Sequence, residues 1–241
     1  MAQRGKNNLR KDVAEFVDRP DRISRYSQLF LIVCEDENTE PAYFNRIKDE
    51  LPELPDETMF VKCVGTGRDQ LGVVQQAVTE RETLATLAEK KVDYTWVVFD
   101  KDDADENETK LQRFVDAFEL AKKENIDIAL SNEVFEVWLL LHLAELSPEA
   151  PIPRATIYEQ LQAKIRELEG HEDFIYAHGS ADILTKIDEL GDEAAATERA
   201  KDLEVHFAET SLIDANPSTR VYRLVELLRE WVVYYSWEPR V

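Results

Sequence analysis

The apolar run Leu29-Phe30-Leu31-Ile32-Val33-Cys34 ends directly in the acidic turn Glu35-Asp36-Glu37. A short, uninterrupted apolar segment of this kind reads as a strand buried on both faces, the kind found in a parallel sheet. A helix should follow. Thr39 suits its N-cap, Pro41 its first turn, and Glu40 the positive end of its dipole. Tyr43, Phe44, Ile47 and Leu51 then recur at spacings of three and four. Beyond a loop with Pro52 and Pro55, Met59 to Val64 reads as a second strand. It breaks at Gly65-Thr66-Gly67-Arg68-Asp69, and a helix runs from about Gln70 to Lys90. Tyr94 to Phe99 is a third strand, ending in Asp100-Lys101-Asp102-Asp103. A helix from about Glu108 to Glu124 and a strand from Ile126 to Leu130 complete the alternation. The order predicts an α/β fold with a mostly parallel, four-stranded sheet and right-handed crossovers that place helices on both faces.

From Glu133 onward the pattern is helical only. Residues 133–143, 154–168, 181–190, 192–208 and 218–234 read as helices, punctuated by Pro148, Pro151, Pro153, Gly170, Gly179, Gly191 and Pro217. The expected organisation is a basic arm over 1–26, an α/β domain over 27–147, and a helical annex over 148–241 packed on the sheet. A chain of 241 residues accommodates this. Its formal net charge of −21 argues against a protein that coats nucleic acid through clustered cations. It leaves open an enzyme that meets phosphates through bound metal ions, or an acidic subunit that docks on a basic partner. Cys34 and Cys63 suggest no disulfide framework. No stretch is long and apolar enough for a membrane span, and the basic start lacks a signal peptide's apolar core, so the expected location is the cytoplasm.

The position of the acids is the informative feature. Glu35 follows one buried strand, and Asp100 and Asp102 follow another. Ligands of open α/β sheets bind at the carboxyl ends of the strands, where strand order reverses. If these strands are neighbours, the three carboxylates converge and need a counter-charge. A hard divalent cation, Mg²⁺ or Mn²⁺ in its place, meets that need, with Asp103 as a further ligand. On an extended segment Asp100 and Asp102 would point the same way. Glu136 lies among apolar neighbours, Leu139 and Leu140 at i+3 and i+4. It must pair with a cation, accept amide hydrogen bonds, or serve the acidic site as ligand or base. Asn132 sits at the same mouth, as a cap or a substrate contact. His142 closes the helix, stabilised by its dipole or shuttling a proton. Arg68 precedes a helix N-terminus that either simply turns the chain or seats a phosphate. Lys101, Arg220 and Arg223 are further candidate phosphate contacts, although Asn216-Pro217-Ser218-Thr219-Arg220 also reads as a cap opening the last helix.

The pattern of Glu35 after one strand and Asp100-x-Asp102 after a later one resembles the Toprim domain of topoisomerases, primases and certain nucleases. More narrowly, several blocks resemble the RloB-like / AbiLii abortive-infection family. They are Leu31 to Glu35, Thr39-Glu40-Pro41-x-Tyr43-Phe44, Val64 to Gly67, Val98-Phe99-Asp100-x-Asp102-Asp103, Ser131-Asn132-x-x-Phe135-Glu136-x-Trp138-Leu139-Leu140-x-His142, and Asn216 to Thr219. Family members often carry Gly at the position of Asp36, so either Glu35 or Glu37 could face the metal, and strand-end position favours Glu35. The resemblance implies a bacterial anti-phage factor acting with an AAA- or ABC-type ATPase partner. By analogy with other Toprim nucleases it implies Mg²⁺-dependent cleavage of RNA, tRNA included, or of DNA. Glu35, Asp100, Asp102 and Glu136 would be catalytic, with Arg68, Lys101, Asn132 and Arg220 on the substrate. A non-catalytic docking subunit of a defence ATPase and another Toprim nucleotidyl-transfer reaction are the rival expectations. A homo-oligomer also stays open.

Overall fold

The computed structural model describes residue 23, residues 26–52 and residues 59–236. The basic arm over 1–26 therefore lies, but for Ile23 and Tyr26, outside the described residues. In chain order the elements are β1 (Gln28–Cys34), α1 (Thr39–Lys48), β2 (Met59–Gly65), α2 (Gln70–Ala88), β3 (Tyr94–Asp100), α3 (Glu108–Glu124) and β4 (Asp127–Asn132). Then come α4 (Glu136–Leu141), α5 (Arg154–Arg166), α6 (Asp182–Leu190), α7 (Glu193–His206), β5 (Ser218–Thr219) and α8 (Val221–Ser236). The sheet order is β2-β1-β3-β4-β5. β1 is parallel to β2 and β3, and β3 is parallel to β4.

Two expectations need correction. The sheet has five strands, not four, because Ser218 and Thr219 pair antiparallel with Asn132 and Ser131. Those two residues consequently do not open the last helix, which starts at Val221. A two-residue strand carries no period for a sequence reading to detect. Its anchor is local chemistry: the Ser131 and Thr219 hydroxyls lie 3.0 Å apart, and the Arg220 N–H donates to the Leu130 carbonyl at 2.7 Å.

Alternation along the central strands sorts the core into two layers. Phe30, Ile32 and Cys34 of β1 and Trp96 and Val98 of β3 pack in a cluster with α1, α4 and the C-terminal helices. Leu29, Leu31 and Val33, with Val97 and Phe99, pack in the other cluster with α2 and α3. Each fully buried Leu, Ile or Phe here stabilises the fold by about 1.5 to 3 kcal/mol relative to exposure. β1 is buried along six of its seven residues, as a central parallel strand must be. Its N-terminal end is held by Asp93, whose carboxylate accepts from the Leu29 N–H at 2.8 Å. α2 and α3 are capped by the side chains of Asp69 and Asn107. At α1 the expected cap moves: Thr39 is inside the helix, and the Asp36 carboxylate accepts from the Thr39 N–H. No helix among the described residues is long and apolar enough to cross a membrane.

Candidate active site

After β1 the chain crosses to β2 on one side, then returns to place β3 on the other. The reversal leaves a crevice at the carboxyl ends of β1 and β3, the position where open α/β sheets hold ligands. Glu35 and Asp100 are the residues at these two ends. The Glu35 N–H donates to the Val98 carbonyl at 2.9 Å, and the Glu35 carboxylate accepts from the Asp100 N–H at 2.8 Å. The side chain of residue 35 thus reaches β3. Its other oxygen lies 3.4 Å from the Gln70 amide, which also donates to the Asp100 carbonyl at 2.9 Å. Gln70 is the first residue of α2, so strand and helix ends are tied together at the crevice.

Strand parity explains how the acids divide. Asp100 continues the Trp96 and Val98 series, toward the layer holding α4. There its Oδ2 accepts from the Phe135 N–H at 3.0 Å, while its Oδ1 is shut off from solvent with no partner among the described residues. Glu40 and Glu136 belong to the same layer, at 1% and 4% exposure. Glu40 accepts from the Asp36 N–H at 3.1 Å. Glu136 accepts from the Tyr176 hydroxyl, and the His178 imidazole lies 3.4 Å from the same oxygen.

The electrostatics follow from crowding acids out of water. Burial pushes Glu35 up from 4.5 to about 8, opposed by the hydrogen bond from Asp100 and reinforced by the Asp102, Asp69 and Asp36 charges. Burial also holds Asp100 well above the ordinary aspartate range, and Glu40, Glu35, Glu136 and Asp102 add to it. Glu40 is raised for the same first reason, followed by Glu35. The hydrogen bond to Glu136 raises His178.

Most other candidates have found partners. β3 ends at Asp100, and Asp102 adopts a left-handed conformation with φ of 47°, so the alternation expected to align Asp100 with Asp102 does not continue. Asp102 and Asp103 are instead held by Arg154, at 3.1 Å and 2.7 Å. Lys101 is buried and pairs with Asp105 at 2.7 Å. The Asn132 amide donates to the Leu212 and Ile213 carbonyls at 3.0 and 2.8 Å. Arg220 lies 3.1 Å from Glu204, and Arg223 pairs with the same carboxylate at 2.6 Å. Arg68 is exposed on the loop before α2, and Glu37 is exposed beside Gly67. His142 is buried, with Nδ1 2.9 Å from the Trp138 carbonyl, and burial lowers its pKa.

Glu40 was legible as more than a helix-dipole residue. Its i+3 and i+4 neighbours are Tyr43 and Phe44, the same apolar setting that singles out Glu136. Tyr176 and His178 lie in a polar stretch without period, and nothing in the sequence marks them.

The donors suit a hard cation: Glu35, Glu40, Asp100 and Glu136 offer only carboxylate oxygens, and the unpartnered Asp100 Oδ1 is an oxygen that a cation would satisfy. Among the described residues no three His, Cys, Asp or Glu side chains stand ready to hold a metal ion together. Mg²⁺ demands fewer, because it binds through one or two carboxylates and keeps several waters. The residues fit Mg²⁺ in this sense.

Fold and site thus define an α/β protein with an acidic crevice at the switch point of its sheet. The RloB-like protein family model matches residues 30–228, and the chain belongs to that family. Membership points to a defence-related role. A search of curated proteins found no match, and neither did a search of solved structures.

Proposed function

We propose that the chain is a Toprim-like, Mg²⁺-dependent nuclease that hydrolyses phosphodiester bonds of RNA or DNA in anti-phage defence, alongside an ATPase partner. The observation carrying this reading is the Asp100 carboxylate, one oxygen buried without a partner among the described residues, at the switch point beside Glu35, Glu40 and Glu136. Glu35 and Asp100 would hold the ion, with Asp102 and Asp103 as further ligands. Mg²⁺ when bound supplies a Lewis acid that neutralises phosphoryl charge and acidifies a bound water. Glu136, fixed between the Tyr176 hydroxyl and His178, accepts the proton of the attacking water at Oε1 or Oε2. Gln70 orients Glu35 through its amide, and exposed Arg68 contacts a substrate phosphate.

The test compares wild type with Glu35→Ala and Asp100→Ala on RNA and DNA in Mg²⁺. Both variants should stay folded and lose cleavage; undiminished cleavage by either sinks the proposal. A docking-subunit reading draws on the engagement of Asp102 and Asp103 by Arg154. It would be established if phage defence survives loss of Glu35, Asp100 and Asp102 together.

A further inference from the structure

We infer that Arg154 is a substrate-phosphate ligand stored on the Asp102–Asp103 turn, and that a divalent cation on that turn competes with it for the same oxygens; the inference rests on the nuclease reading above. The guanidinium spans three acids. Nη1 is 3.1 Å from Asp102 Oδ1, Nη2 is 2.7 Å from Asp103 Oδ1, and Nε is 3.8 Å from Glu133 Oε2. Among the described residues it is the sole cation ion-paired with Asp102 or Asp103. Lys101, next in the chain, is committed to Asp105.

The position is built rather than incidental. Arg154 opens α5, whose N-cap residue Pro153 has no side chain able to cap. Glu133 takes that role: its Oε2 accepts from the Arg154 N–H at 3.1 Å. The Asp102 N–H donates to the Glu133 carbonyl at 3.2 Å, which ties the acidic turn, the end of β4 and the start of α5 into one unit. The Arg154 side chain keeps 35% of its surface exposed, so its fork can leave the carboxylates without opening the core.

The chemistry of exchange is simple. Arginine has only donors, in a planar fork that matches carboxylate and phosphate alike. Asp102 and Asp103 would hold a dication through the oxygens that the fork now occupies, and its charge would repel the guanidinium. The freed, partly exposed guanidinium would then be open to an anionic phosphodiester, its complementary group. Metal binding and substrate binding are thereby linked through one side chain.

Two measurements on the full chain decide this. The first is calorimetric titration of Mn²⁺ into metal-free wild type and Arg154→Ala. The variant should bind about tenfold tighter, the scale on which a unit charge a few ångströms from a dication acts. Arg154→Lys, which keeps the charge but not the fork, should fall between them. The second is fluorescence anisotropy of a fluorescein-labelled single-stranded oligonucleotide with Mn²⁺ present, in a Glu136→Gln background that blocks cleavage. Adding Arg154→Ala should weaken binding about tenfold, as expected for a lost charge-assisted hydrogen bond. Thermal melts confirm that each variant folds. Unchanged or weaker Mn²⁺ binding overturns the inference, and so does unchanged oligonucleotide binding. If wild type cleaves nucleic acid while Arg154→Ala alters neither affinity, the nuclease reading stands and this one falls. If neither protein binds Mn²⁺, both fall.

Discussion

Glu35→Gln should stabilise the metal-free protein, and by an amount that grows with pH. The unfolded carboxyl titrates near 4.5 and the folded one near 8, chiefly because folding removes it from water. Between those values the folded state binds the extra proton, so stability falls as pH rises. The contribution is fully present below about pH 4.5 and gone above about pH 8. At 1.36 kcal/mol per pH unit, the shift corresponds to about 5 kcal/mol lost by wild type at pH 9 relative to pH 4. Water entry and local relaxation soften such penalties, so about 2 to 3 kcal/mol is the smallest gain the reasoning allows. Glutamine is isosteric with the protonated acid, and its carbonyl can still accept from the Asp100 N–H. It also removes a charge that raises Asp100 and Glu40. Urea unfolding in EDTA across this pH range measures the effect through the midpoint at constant slope. Wild type should lose stability more steeply than the variant, and the two should converge in acid. Parallel pH curves would refute the argument that residue 35 is a destabilising buried acid. Added Mn²⁺ should stabilise wild type most at high pH, where its ligands are ionised.

Gly65→Ala should lower stability by about 1 to 3 kcal/mol and weaken Mn²⁺ binding. Its Cβ would lie 2.6 Å from the Asp36 carbonyl oxygen and 2.6 Å from Glu37 Cα, so the turn carrying Glu35 must move; wild-type melting and metal affinity together would contradict this. Tyr176→Phe should cost about 1 to 3 kcal/mol by removing a hydrogen bond from buried Glu136. The loss should be larger at alkaline pH: His178, raised by Glu136, stabilises below the ordinary 6.5 and ceases to do so as pH climbs through its folded value. Equal losses on both sides of that transition would show that the imidazole contributes nothing to Glu136.

What the sequence made legible was whatever a period or a run could encode. β1 and β3 stood out because central parallel strands are apolar throughout, and the helix read from Glu108 to Glu124 matches α3, whose ends Asn107 and Asn125 cap in the structure. Glu35 and Asp100 followed from lying at those strand ends. Asp102 shows the limit. Its spacing from Asp100 implied a shared face, but the strand stops at Asp100 and the turn hands Asp102 to an arginine more than fifty residues away. β5, Tyr176 and His178 were illegible for a related reason. Each is positioned by contacts with distant chain, and no local pattern records such contacts.

The structure also separates two meanings of a buried acid that the sequence left open. A buried carboxylate that serves stability is answered by a cation, and Glu136 could have been half of such a pair. Among the described residues, however, no Lys or Arg forms an ion pair with Glu35, Glu40, Asp100 or Glu136. Their partners are main-chain N–H groups, the Gln70 amide, the Tyr176 hydroxyl and the His178 imidazole. The arginines that could have answered them are engaged elsewhere: Arg154 by the next turn, Arg229 by Glu193 and Glu50, Arg220 and Arg223 by Glu204. Packing alone would favour neutral side chains at these positions. An arrangement that crowds acids at a sheet's switch point, and leaves one carboxylate oxygen unpartnered among the described residues, is destabilising without a cation, and under the nuclease proposal a bound cation would relieve it. The same acids that weaken the fold are therefore the ones the proposed reaction would draw on.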